Sequence, residues 1–539
     1  MEANYATVWE AIADVIPDED AIVQGSTRRT WGDYERNAAR LAAACQEVGV
    51  GKDAKVALYL YNSPEYMEGY FAAFKLRAIP VNVNYRYLDD ELHYLLENSD
   101  SEVVIFHSSL GERVGRVRDR LPLVKRWIEV PDDDAHLDGA ERYHDVLEQY
   151  AAKPAPRVER SPDDMGMTYT GGTTGMPKGV MSTVGGGVTG GLATLPPLLG
   201  LEPHTPDDMA TAPTKLVELD KRPRTVVCCP LMHGTGIGLG ANPTLTFAGT
   251  MFLLEGRRFD PHEVWDLAER ERAHAVVVVG DPFARPLARA LDDKPGRDLA
   301  TTFLVTSAGA MFSREVKAKF VEHLPQLLII DFMASTEGAM AQSVFTKNTT
   351  AETAVFKLNE NVKVFDEDDN EVEPGSGAVG VLAVSGGVPL GYYKDEEKSA
   401  RTFREVRGVR YSFPGDFATI EADGTITLLG RGSQVINTGG EKVFAEEVEE
   451  VIKTHESIDD CLVVGVPDER FGNRIVAVVS AAVGVDVDEG AVIAHTKAKL
   501  APYKAPKAVV VVPTVPRAPN GKADYKTASD LAGANSETR

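Results

Sequence analysis

Twelve consecutive residues, Tyr169-Thr170-Gly171-Gly172-Thr173-Thr174-Gly175-Met176-Pro177-Lys178-Gly179-Val180, place three threonines and one lysine among four glycines, directly after the apolar stretch 165–170. Residues of these types in this order make a cradle for polyphosphate. Glycines let backbone N–H groups turn inward as an anion nest, threonine hydroxyls add donors, and Lys178 adds a fixed positive charge. A P-loop NTPase closes such a loop with Gly-Lys-Ser/Thr so that a hydroxyl can reach magnesium. Pro177-Lys178-Gly179 closes this one instead.

Further blocks follow: Pro230-Leu231-Met232-His233-Gly234-Thr235-Gly236, Ser307-Ala308-Gly309-Ala310-Met311 and Asp331-Phe332-Met333-Ala334-Ser335-Thr336-Glu337-Gly338. Then come Tyr411-Ser412-Phe413-Pro414-Gly415-Asp416, Gly430-Arg431-Gly432-Ser433, Asn437-Thr438-Gly439-Gly440-Glu441-Lys442-Val443 and Pro519-Asn520-Gly521-Lys522. In order and wording the set resembles the AMP-forming, adenylate-forming superfamily of acyl-CoA synthetases, peptide-synthetase adenylation domains and luciferases, across nearly the whole chain.

The resemblance implies ATP, Mg2+ and coenzyme A as cofactors and a two-step reaction. A carboxylate attacks phosphorus poorly because it carries negative charge toward negative charge, so cations must gather at the α-phosphate. By resemblance, Glu337 holds the magnesium, Thr336 contacts the α-phosphate, and Lys522 holds both the carboxylate and that phosphate. Thr170, Gly171, Gly172, Thr173, Thr174, Gly175 and Lys178 hold the phosphates. Gly309, Ala310 and Asp331 line the adenine, Asp416 takes the ribose hydroxyls with Arg431 assisting, and His233, Gly234 and Met333 face the acyl group. For the thiol step, the family rotates a small domain about a hinge, here Ser433, and brings in a loop, here Gly439, Gly440, Glu441 and Lys442, past which the pantetheine arm runs. The implied domains are 1–431, a hinge at 432–433 and a mobile domain at 434–539.

At 539 residues the chain exceeds what one hydrophobic core supports, and 43% hydrophobic residues can fill more than one. A net charge of −24 argues against nucleic acid or an anionic membrane as partner. Cys45, Cys228, Cys229 and Cys461 are scattered and read as reduced core residues without zinc-ligand spacing. The N-terminus shows no basic-then-apolar leader, and no apolar run approaches the roughly 18 residues of a membrane span, so a cytoplasmic protein without integral membrane association is expected. A homodimer is a family-level expectation only.

Short apolar runs alternate with amphipathic segments: 55–60 then 64–76, 102–106 then 110–121, 275–279 then 282–291. This predicts α/β layers, with further strands at 225–229, 302–306 and 327–331, several running into motif loops. After Asp416 the pattern turns to short hairpins, then to a compact α+β segment: helix 445–454, strands 461–466 and 475–483, helix 489–500, strand 508–512. The fold class is α/β, a large multi-layered N-terminal domain with, by resemblance, a small barrel-like subdomain, followed by a small mobile α+β domain. Gly185-Gly186-Gly187 and Gly190-Gly191 either loosen a helix start or cut back an acyl-pocket wall. The segment 203–224, polar and proline-containing, reads as a disordered surface loop before a lid.

The motif wording, including Gly408-Val409-Arg410-Tyr411 and Asp281-Pro282-Phe283-Ala284-Arg285-Pro286-Leu287, looks most like CoA ligases for fatty, steroid-side-chain or polycyclic terpenoid acids. A bulky apolar acid is the expected substrate, and no carboxylate is placed by motif to hold an α-amino group. Three departures stand out: Met333-Ala334 replaces an aromatic-Gly pair, the hinge is serine, and Asn437 replaces a frequent lysine. They allow one alternative, an enzyme that only transfers a preformed acyl-adenylate to coenzyme A. Another, of a different class, is a non-catalytic nucleotide-binding protein, which Lys522 and Glu337 weigh against.

Overall fold

The valine-rich runs become strands buried on both faces, as parallel sheets require. A computed structural model of the chain describes residues 1–170, 176–349, 355–357, 361–431, 434–438, 441–468, 472–518 and 521–534. In it, strands run parallel in the order Asp20–Gln24, Thr250–Leu253, Arg224–Val227, Ala275–Val278, Leu304–Ala308 and Leu328–Ser335. Thr27–Thr30 lies antiparallel on the outer edge. The last four parallel strands are neighbours, and each delivers a loop at its C-terminal end: 229–236, Gly280, Gly309-Ala310 and Thr336-Glu337. Loops at that end of an open parallel sheet are where ligands are met.

A second, five-stranded parallel sheet has the order Ile79–Asn82, Lys55–Tyr59, Ser101–His107, Arg126–Val130, Glu141–Arg142. Its helix Pro64–Lys75 starts where the sequence demands, with Ser63 accepting from the Tyr66 N–H and Pro64 in the first turn. A third, antiparallel sheet joins Gly391–Tyr392, Lys178–Thr183 and Met165–Thr170. These sheets belong to one compact unit, built chiefly from Met1–Gly338 and Gly387–Arg404.

The other unit is built from Ala339–Ser343, Glu352–Gly386 and Glu405–Arg539. Its first part is antiparallel: Asp416–Ile420 pairs with Thr425–Arg431 and with Gly380–Val384, around a core of Phe365, Ala383, Val406 and Tyr411. Its second part has the hairpin Val435–Thr438/Glu441–Phe444, the helix Ala445–Lys453, and a sheet of Ile458–Asp468, Gly472–Ala481 and Ala508–Val511. The helices Glu489–Lys499 and Tyr525–Ala534 complete it.

Most expected elements lie within a few residues of their expected ends, with informative exceptions. The strand expected at 302–306 is Leu304–Ala308, because the Thr302 hydroxyl is used before the strand begins, donating to the Ala273 carbonyl at 2.8 Å. The segment 203–224 is not a disordered loop. A helical turn at Pro206–Ala210, with a Thr205/Asp208 capping box, leads into the helix Ala212–Glu218, and Met209, Pro213 and Leu216 are buried. The glycine cluster starts the helix Gly185–Leu198, where a Cβ on Gly185 would lie 2.9 Å from the Pro162 carbonyl oxygen and one on Gly187 would strike the Tyr5 hydroxyl. All four cysteines are free and buried. Among the described residues no helix is long and apolar enough to cross a membrane.

Gly280 has φ +50°, and a Cβ there would lie 2.6 Å from the Ala310 carbonyl oxygen. Left-handed backbone and overpacking would act together, so Gly280→Ala should cost on the order of 3 kcal/mol, read as a lower urea midpoint for the transition of this unit.

Candidate active site

The candidate phosphate loop is flanked by an antiparallel strand pair. Thr170 stands opposite Lys178 in the antiparallel register of Met165–Thr170 and Lys178–Thr183. Gly171, Gly172, Thr173, Thr174 and Gly175 lie outside the described residues. Gly179 admits no side chain, since a Cβ would sit 2.8 Å from Met167 Sδ and 2.9 Å from the Tyr169 ring. The Tyr169 hydroxyl donates to Asn98 at 2.7 Å.

A strap at residues 390–399 runs beside the loop's return strand. Leu390 N–H donates to the Met181 carbonyl (2.8 Å) and Tyr393 N–H to the Gly179 carbonyl (2.7 Å). From this strap Asp395 Oδ2 meets Lys178 Nζ at 2.6 Å, and the Tyr392 hydroxyl donates to Glu337 Oε1 at 2.7 Å. One short segment therefore holds both the phosphate-loop lysine and the candidate magnesium ligand. Sequence reasoning missed Tyr392 and Asp395, because nothing local marks residues whose partners lie 55 and 217 positions away. The ion pair raises the Lys178 pKa, and its hydrogen bond to Lys178 is the leading cause of a lowered Asp395 pKa.

Thr336 and Glu337 follow the strand Leu328–Ser335, and Met333 within it is buried. Gly309 (φ +92°) and Ala310 follow Leu304–Ala308. The loop after them is tied to the start of the preceding helix, Gly280–Asp293, as Asp281 N–H donates to the Met311 carbonyl and Asp281 Oδ1 accepts from Ser313 N–H, both at 2.8 Å. Asp331 is 5% exposed and meets Lys317 Nζ at 2.8 Å. Burial pushes its pKa up against the pull of Lys317. Its carboxylate is thus engaged within the fold.

His233 and Gly234 stand in the turn before a wide helical segment, Thr235–Ala241, in which a Cβ on Gly236 would strike the Pro230 carbonyl. Such wide turns recur at functional sites. Thr235 donates to the Ala308 carbonyl at 3.3 Å, joining this loop to the Gly309-Ala310 block. Two asparagines that sequence reasoning also missed, Asn62 and Asn82, hold the loop's main chain at Cys229, Leu231 and Met232.

In the second unit Asp416 is buried and stands opposite Arg431 in register. Ser433, Gly439 and Gly440 lie outside the described residues, while Glu441 and Lys442 pair with Thr438 and Asn437 in the flanking hairpin. Lys522 is exposed in a tight turn: Gly521 N–H donates to the Ala518 carbonyl at 2.9 Å and Ala518 N–H to the Lys522 carbonyl at 2.7 Å. Arg517 fixes that turn, donating to the Gly521 carbonyl and forking onto Asp460 at 2.6 and 2.7 Å. Burial alone would raise the Asp460 pKa, but Lys453 and Arg517 outweigh it and hold the carboxyl well below its usual range.

An open parallel sheet with loops at the C-terminal ends of its strands, beside an antiparallel pair that bears Lys178, is the architecture of the adenylate-forming enzymes. Residues 9–393 match the AMP-binding enzyme family and residues 447–522 its C-terminal domain family, so the chain belongs to the AMP-binding enzymes. It is 38% identical over 553 residues to a 3-oxocholest-4-en-26-oate–CoA ligase of Rhodococcus rhodochrous, covering 99% of this chain and 96% of that one. It is also 38% identical over 550 residues to a medium/long-chain-fatty-acid–CoA/3-oxocholest-4-en-26-oate–CoA ligase of Mycolicibacterium smegmatis, with 98% and 97% coverage. Among solved structures, the anthranilate CoA ligase AuaEII in complex with anthranoyl-AMP shares the fold, with a TM-score of 0.83, 20% identity and complete coverage of both chains.

The Lys178–Asp395 clasp has a defined pH window. A depressed carboxyl contributes stability above its unfolded value, about 3.9, and loses it as pH falls through the folded value; a raised lysine contributes below about 10.4 and loses it as pH rises through its folded value. Asp395→Asn keeps a side-chain cap for Lys398 N–H but removes the charge. Its melting temperature should lie below wild type by a constant amount from roughly pH 5 to 9, and the gap should close below roughly pH 4.

Proposed function

We propose that the chain is an AMP-forming acid–thiol ligase that activates a bulky hydrophobic carboxylic acid, of the fatty or steroid-side-chain class, with ATP and transfers the acyl group to coenzyme A. The observation that carries this reading is the 38% identity held over 99% of the chain to a ligase named for a steroid-side-chain acid. In the first step the acid's carboxylate oxygen bonds to the α-phosphorus, the bond between the α- and β-phosphates breaks, and pyrophosphate leaves. In the second the coenzyme A sulfur bonds to the acyl carbon, AMP leaves and the thiol proton passes to solvent.

Lys178 sits with its ammonium at the end of the phosphate loop and its third of exposed surface free to meet phosphate oxygens. Magnesium in nucleotide enzymes is commonly held by one or two carboxylates together with substrate phosphates. Glu337 is the carboxylate that would hold it; bound there, the ion neutralises charge on the phosphates. Tyr392 orients that carboxylate through Oε1. Lys522 serves adenylation from a turn that Arg517 and Asp460 keep rigid. Thr170 to Gly175 cradle the phosphates, Thr336 meets the α-phosphate, Gly309 and Ala310 flank the adenine, Asp416 and Arg431 take the ribose, and His233, Gly234 and Met333 face the acid. Gly439 to Lys442 admit the pantetheine arm. The reading includes domains at 1–431 and 434–539 with Ser433 in the hinge, a cytoplasmic location, and a homodimer on the family resemblance.

Incubation with ATP, Mg2+, coenzyme A and dodecanoate, 3-oxocholest-4-en-26-oate or benzoate should yield AMP and thioester, with the two bulky apolar acids preferred. Lys522→Ala should lower acid-dependent pyrophosphate release on the order of 10²- to 10³-fold and leave thioester formation from supplied acyl-AMP near wild type. Absence of acid-dependent pyrophosphate release from the wild type would sink the two-step reading.

A further inference from the structure

The strand Met165–Thr170 is an edge of its sheet, paired among the described residues only with Lys178–Thr183. Its open edge is closed at Tyr169 by a side chain. Asn82 Oδ1 accepts from the Tyr169 N–H at 2.8 Å and Asn82 Nδ2 donates to the Tyr169 carbonyl at 2.8 Å, so the amide does what the peptide of an adjacent strand would do. The same Nδ2 gives its second proton to the Met232 carbonyl at 2.7 Å. Only one orientation of the amide serves all three partners; turned over, it would set NH2 against an N–H and oxygen against two carbonyls.

The two ends of this junction matter. Tyr169 is the penultimate residue before the glycines of the phosphate loop, and Met232 immediately precedes His233 and Gly234. Asn82 itself is the last residue of Ile79–Asn82, in a different sheet. Asn62 offers an internal contrast: it accepts from Leu231 N–H at 2.8 Å and donates to the Cys229 carbonyl at 3.0 Å, gripping the acyl-side loop alone.

We propose that Asn82 is a positioning residue that couples the two loops, so that nucleotide binding at the phosphate loop orders the acyl-side loop before the acid arrives. This rests on the proposed reading of those loops as the ATP and acid sites. Nucleotide binding that restrains Tyr169 fixes the Asn82 amide through two bonds, and the third bond carries that restraint to Met232. The acid then meets a loop whose ordering has already been accomplished, and binds more tightly with ATP present than without it.

Hydrogen exchange of the full chain, with and without MgATP and with no acid present, tests this. In the wild type MgATP should slow exchange in peptides covering 165–180 and also in those covering 229–236, the latter by about fivefold or more, the lower end of ordinary coupling between sites. In Asn82→Ala the first effect should persist and the second vanish. Asn82→Asp, which keeps the acceptor for Tyr169 N–H but supplies no donor, should lose the second effect as well, whereas Asn62→Ala should retain it. Coupling through Asn82 is wrong if both Asn82 variants still transmit protection to 229–236, or if the wild type shows protection at 165–180 alone. Absence of MgATP protection at 165–180 would instead overturn the phosphate-loop assignment.

Discussion

A loop made of glycine and threonine has almost no side chain with which to pack itself, so its shape must be imposed from its ends. That constraint organises the first unit. Thr170 and Lys178 are held face to face by a strand pair, the missing Cβ of Gly179 lets the Tyr169 ring close over it, and Asn82 seals the outer edge. The strap at 390–399 then fixes the charge that the loop presents. On the proposed reading, ends held in this way leave less to reorganise when phosphate arrives, which is where such sites obtain most of their effect.

Charge is handled by the same economy of position. A chain carrying −24 must attract an anionic nucleotide and an anionic acid, so its useful cations have to be local and well placed. Lys178 is tethered by Asp395, and the turn bearing Lys522 is tethered by the Arg517–Asp460 fork. Lys317, which meets Asp331, differs: both groups are almost fully buried, and each is engaged by the other within the fold. Buried pairs of this kind are costly to break by removing one partner.

The strands and the motif loops were legible because their signals are local: valine runs of four or five residues, and glycine-rich blocks directly after them. The glycine-rich segment before Lys178, the Thr336-Glu337 pair and the segment around Lys522 stand out in residue type and order. What was not legible depends on contacts between distant residues. Asn82 sits in the bland run Val81-Asn82-Val83-Asn84, and its partners are 87 and 150 positions away. The segment 203–224 misled because its polar composition conceals three apolar residues, Met209, Pro213 and Leu216, at spacings that bury them. The glycines at 185 and 187 suggested a pocket wall, whereas Pro162 and Tyr5 supply a steric reason for both.

Asp395 carries two duties with one short side chain: Oδ1 accepts from Lys398 N–H to start the helix Glu396–Thr402, while Oδ2 meets Lys178. Asparagine would preserve the helix start and forfeit the charge. Glutamate would keep the charge and move it a methylene too far for the cap. A position answering to two such unlike demands leaves evolution no neighbouring residue to drift into, and an engineer wishing to retune the nucleotide end would do better to alter the strap around it.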